Sequence, residues 1–135
     1  MSDQEFILEF SILGNSDIGK VVFTKHLAPK TYALLEFRLR NPIQSRVVVR
    51  DGEVSIPFKI GRAGPENTVK HVNQGDVAYW TQSQVLIIFL RSKDVEYPVN
   101  PVGQVKNLTF FNRLQIGNSI KLEMVKSPID EIKYL

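Results

Sequence analysis

The chain opens on an alternation of apolar and polar positions. In "EFILEFSIL", Phe6, Leu8, Phe10 and Ile12 fall on one side of an extended backbone and Ile7, Glu9 and Ser11 on the other, the period of two that a half-buried strand requires. "GNSDIG" supplies turn residues, and "KVVFTK" reads as a second strand paired antiparallel with the first. The period then lengthens. In "APKTYALLEFRLRNP", Pro29 suits a first helical turn, and Ala28, Tyr32, Leu35 and Leu39 form one apolar stripe. Arg38 and Arg40 suit the carboxyl end of the helix dipole, and Asn41-Pro42 stops the pattern.

From Gln44 the period of two returns. "RVVVR", the turn Asp51-Gly52 and "EVSIPFKI" predict a hairpin with Val47 and Val49 inward and Arg46, Val48 and Arg50 sharing the opposite face. Pro57 has no amide donor, so its strand should end, bulge or lie at an edge there. "TVKHV", "VAYW" and "SQVLIIFL" read as further short strands, and "SKDVEYPVNPVG" as an ordered loop with extended ends. "NLTFFNRL" predicts a second short helix turning Leu108, Phe111 and Leu114 inward, ended by Gly117. "SIKLEMV" then completes the sheet, with Ile120, Leu122 and Met124 on one side. The sum is a mainly β chain: a closed antiparallel β-barrel of about eight strands capped by two short helices. An open α+β sheet with both helices on one face is the alternative.

Composition narrows the chemistry. A chain of 135 residues, 43% hydrophobic and 23% charged, with no repeat and no Ser/Gly linker, is expected to be one domain over residues 1–135. The absence of cysteine removes disulfides, thiolate nucleophiles and cysteine metal sites. His26 and His71 remain as the only imidazoles, so neither a metal nor a cofactor is expected. The amino terminus is acidic where a signal peptide is basic, and the longest apolar run, "VLIIFL" at 85–90, is too short to span a bilayer. A cytoplasmic protein without membrane contact is the expectation. Net charge is +3, and Arg38, Arg40, Arg46, Arg50, Lys59 and Arg62 thicken one region, which reads first as a solvated face and makes nucleic acid an improbable partner. No nucleophile elbow, Walker loop or dinucleotide fingerprint is present.

One resemblance covers most of the chain. The strand-to-helix passage "GKVVFTKHLAPKTYALLEF", then "TQSQVLIIF", then "VNPVGQVKNLTFFNRLQIGNSIKL", resembles cyclophilins in residues and order, with Ser83-Gln84 similar to their Ser-Gln and Val102-Gly103-Gln104-Val105 to their Phe-Gly-Lys-Val. "GDVAYW" resembles the small microbial cyclophilin-like proteins more closely still. The resemblance implies an eight-stranded barrel with a groove on one wall that binds an extended peptide or small ligand, and possible peptidyl-prolyl isomerase activity. The family's Phe-His-Arg motif is absent, and its arginine position falls on Val48. Arg46 or Arg50, on the same face, is then the catalytic candidate, and Trp80, Leu86, Phe89, Val99 and Asn100 are the ligand-binding candidates. The rival expectations are a non-catalytic basic module for an anionic partner such as nucleic acid, and an oligomer-forming scaffold that uses Tyr79, Trp80 or Phe110 as interface.

Overall fold

The computed structural model describes residues 4–125, so the first three residues of the acidic amino terminus lie outside the described residues. The chain begins with β1 (Glu5–Ile12) and β2 (Ile18–Thr24), followed by a 3-10 turn at Lys25–Leu27 and the helix α1 (Pro29–Arg38). Next come β3 (Ile43–Arg46), β4 (Val48–Arg50), β5 (Glu53–Pro57), β6 (Val69–Val72), β7 (Asp76–Trp80) and β8 (Val85–Phe89). A long β9 (Lys93–Val105), the short helix α2 (Leu108–Asn112) and β10 (Ser119–Val125) complete the order.

The amphipathic readings hold locally. The α1 stripe is buried at Ala28, Tyr32, Leu35 and Leu39, and β1 buries Phe6, Leu8 and Phe10. Asp51 and Gly52 take positive φ angles of 55° and 74°, the primed turn that matches the twist of a two-residue hairpin and for which Asp-Gly is suited. That turn sets Val48 opposite Ser55 and Arg50 opposite Glu53. Arg46, Val48 and Arg50 all lie exposed on the outer face, as the alternation predicts. β5 ends at Pro57, the last residue of its ladder with β8, where it pairs with Val85.

Neighbouring strands pair antiparallel along the path β3-β10-β1-β2-β9-β7-β8-β5-β4, with β6 added on β9. The sheet is therefore an open antiparallel sheet of ten strands among the described residues, in place of the expected closed barrel of about eight. Two features account for the difference. The ladder ends, β3 and β4, are successive pieces of one stretch parted at Val47, which leaves the ladder to bond the α2–β10 loop, donating to Asn118 O at 3.0 Å and accepting from Gly117 N at 2.9 Å. The segment read as a loop is the 13-residue strand β9: Pro98 falls in the irregular stretch of its pairing with β6, and Pro101 pairs with Ala78 beside the register shift in its ladder with β7, so both prolines lie at irregularities of the pairing.

Residues 93–99 of β9 and β6 form an irregular two-stranded ribbon, joined at Val69–Val99, His71–Asp94 and Val72–Lys93. From Asn100 onward β9 enters the main sheet, pairing with β7 and then β2. The ribbon covers the outer face of β7 and β8. Val77, Tyr79, Leu86 and Ile88 belong to the large inner core, whereas Ala78, Ile87 and Phe89 pack with Val72, Val95 and Val99 in a second, outer core. A strand buried on both faces needs no polar alternation, which explains the unbroken apolar run in β8. No helix of the described residues is long and apolar enough to cross a membrane.

Candidate functional site

Concave places lie on the outer surface of the described residues. One, about 540 Å³, runs between the 3-10 turn and β6 over the outer face of β2, β9 and β7. Its floor is apolar, with Val22, Val72, Ala78 and Pro101 among its lining, and His26 and Asp76 stand on its rim. Gly103 lets the floor form: a Cβ there would lie 2.1 Å from the carbonyl oxygen of Val22, so any other residue would hold β2 and β9 apart. Asp76 is already engaged, accepting from Asn73 N at 2.9 Å and from Gln104 Nε2 at 3.2 Å.

A second hollow, about 350 Å³, lies between the loop at 61–65 and the β7–β8 turn. Two amide side chains build it, Asn100 buried and Gln84 partly buried. Gln84, held at a positive φ of 56°, accepts from Ile60 N at 3.0 Å and donates to Thr81 O at 2.7 Å and Gly61 O at 3.2 Å. Asn100, 2% exposed, donates to Thr31 Oγ1 at 2.9 Å and Gly64 O at 2.8 Å and accepts from Glu66 N at 3.0 Å. Glu66 in turn caps α1. Its carboxylate accepts from Lys30 N at 2.9 Å, Thr31 N at 2.6 Å and Thr31 Oγ1 at 2.7 Å, because Ala28 at the cap position has no side-chain acceptor to offer. Burial pushes the Glu66 carboxyl up, but these hydrogen bonds and the Lys30 charge outweigh it, and the net displacement is downward.

The third hollow, also about 350 Å³, is polar and includes Arg50, Glu53, Lys93 and Tyr97. Glu53 pairs with Lys93 at 2.7 Å, their side chains only 15% and 19% exposed, and accepts the Tyr97 hydroxyl at 3.1 Å. Burial, then the Glu53 charge, push the Tyr97 phenol up to about 12, against a smaller opposing pull from Arg50.

The sequence candidates are thus dispersed. Arg46 is exposed at the end of β3 and Arg50 lines the third hollow. Trp80 faces the outer core while Tyr79 turns inward, and Trp80 is covered by Tyr97, with ring centroids 3.7 Å apart and planes at 9°. Phe89 and Val99 are fully buried beneath that pair in the outer core, and Leu86 is fully buried in the inner one. Asn100 lines the second hollow. Tyr79 and Phe110, named with Trp80 as interface candidates, are 0% and 4% exposed and face the inner core, since the alternation of β7 and the packing of α2 against Phe10 through Phe111 turn them inward. Arg38, Arg40, Arg46, Arg50, Lys59 and Arg62 are all exposed, spread over α1, β3, β4 and two loops. Among the described residues no group of three or more His, Asp or Glu is placed to hold a metal.

Sequence reasoning missed Glu66, Gln84 and Tyr97 as organisers. A signal existed for the first: a helix opening on Ala-Pro lacks its own cap and must find a carboxylate elsewhere. None existed for Tyr97, whose partner lies on another strand.

The family described as Cyclophilin-like matches residues 15–123. The solution structure of a hypothetical protein from Archaeoglobus fulgidus superposes with a TM-score of 0.69 at 22% identity, covering 91% of this chain and 98% of that one. No curated protein matches.

Proposed function

Since the chain belongs to the cyclophilin-like family, we propose that it is a binding domain that takes an extended peptide or a small, largely apolar ligand in the groove between β2 and β6. The observation that carries this reading is the groove itself: about 540 Å³ with an apolar floor and polar groups on its rim, the form that ligand sites commonly take. In this reading the sheet works as a barrel, β3 and β4 serving as one strand bent at Val47. Prolyl isomerisation is a second reading, favoured by Arg50 lying in one hollow with Tyr97, the ring that covers Trp80. A donor that prefers a twisted amide, beside a ring that desolvates it, is the chemistry that reaction needs.

Amide chemical shifts, followed while Xaa-Pro tetrapeptides and small apolar fragments are added, test both readings. Shifts are expected at Val22, Ala78 and Gln104, and Val22→Trp, which fills the groove, should abolish them. Shifts that survive in Val22→Trp would sink the groove. In a protease-coupled isomerase assay on the same peptides, acceleration should drop about 100-fold in Arg50→Ala and survive in Arg46→Ala. No acceleration in the unaltered chain would leave a binding domain alone.

A further inference from the structure

Five large apolar side chains stand exposed among the described residues, and four of them gather at one end of the sheet: Leu13 at 50%, Ile18 at 45%, Val48 at 39% and Ile116 at 69% exposure. Backbone bonds bring their segments together. Leu13 N donates to Ser119 O at 3.2 Å and Gly117 N to Val47 O at 2.9 Å, while Ser11, two residues before Leu13, pairs with Ile18. The stretches between them, residues 14–16 and 115–119, carry no charge, and an apolar patch depleted of charge at its centre is the composition of an interface core. Charge returns only at the flanks. On one side Arg46 is exposed with no acidic partner among the described residues. On the other Asp17, its side chain 50% exposed, engages Arg113 through Oδ2 at 3.1 Å.

We propose that this end is the contact of a two-fold dimer, the partner being a second copy of the chain. The self-complementary layout is what points to a second copy. The strand order β3-β10-β1-β2 puts Arg46 and Asp17 on opposite flanks, three strand spacings or roughly 14 Å apart, with Leu13 between them. A two-fold axis beside Leu13 therefore sets Leu13 on the partner's Leu13, Arg46 on the partner's Asp17, and Ile18 on the partner's Val48 and Ile116, each contact occurring twice. The four exposed side chains offer a few hundred Å², short of the roughly 800 Å² per partner of a standard stable interface, so the dimer is weak and reversible. None of the four lines the groove between β2 and β6, which stays open in the dimer, so the dimer stands or falls independently of ligand binding there.

Sedimentation velocity on the full chain between about 5 μM and 1 mM should show a passage from one chain to two. Leu13→Asp, which puts a charge at the axis, should weaken association at least about tenfold; Ile116→Asp serves in its place if amide dispersion shows the first variant disturbed. Arg46→Asp and Asp17→Arg should each weaken self-association about tenfold, because each dimer then holds like charges against one another twice. An equimolar mixture of those two variants should associate as the unaltered chain does, since both contacts are again opposite in sign. A chain that stays monomeric up to the highest concentration, or a dimer that the charge at the axis leaves intact, overturns the inference. So does a dimer that both charge reversals weaken and the mixture fails to restore, because a two-fold contact must recover there.

Discussion

At the residue scale the side chains of Asn100 and Glu66 between them tie β9, the loop at 61–67 and the amino end of α1. Glu66 binds its proton less readily in the folded chain than at its ordinary value of 4.5. The unfolded chain therefore holds more protons as pH falls through that region, and the stability that the carboxylate contributes is present above about pH 4.5 and lost as pH falls through the lower, folded value. Glu66→Gln should be less stable near neutrality, by about 1 kcal/mol, and should lose less on acidification. Urea midpoints at pH 7 and pH 3.5 measure both, and equal acid losses in the two chains would remove Glu66 from the account. Of this cluster, Asn100 was legible in the sequence as a polar residue between Val99 and Pro101. Its three partners were not, since they come from segments 34 to 69 positions away.

At the scale of elements, β9 is the organiser. It changes partner along its length, from β6 to β7 and β2, and at Gly103 it approaches β2 so closely that a Cβ would meet the Val22 carbonyl. Backbone cannot step aside as a side-chain tip can, so Gly103→Ala should cost about 1–3 kcal/mol or more by overpacking. It should also speed amide exchange at Val22 and Gln104 and distort the proposed groove; unchanged exchange there would mean that the strands part without cost. The period of two identified β1, β2, β4, β5 and β10, and the period of 3.6 identified α1, because each has one face buried and one in water. β9 escaped that reading. Its prolines look like loop punctuation, and what makes it a strand is three partners in succession, which no local pattern encodes.

For the whole molecule, burial on two levels matters more than net charge. The six cations from Arg38 to Arg62 stand exposed on several elements, and Arg40 already reaches Glu36 at 4.0 Å and lies over the Phe37 ring at 5.5 Å. Peptide binding in an apolar groove should therefore change by less than about twofold between 50 and 500 mM salt, where binding through phosphate contacts would fall by orders of magnitude. A fluorescence titration at the two concentrations decides it, and a steep fall would favour the basic-module reading. Alternation, turn chemistry and composition by themselves determined a mainly β chain with two short helices, the inward and outward faces of most strands, and the outward row of Arg46, Val48 and Arg50, because each of these follows from neighbours in sequence. Only the tertiary structure decided that the ladder parts at Val47, that a ribbon of β6 and β9 buries the far side of β7 and β8, and that Tyr97 lies on Trp80. Those outcomes depend on surfaces from distant segments meeting, and the free energy of burying them against one another is a property of the assembled sheet.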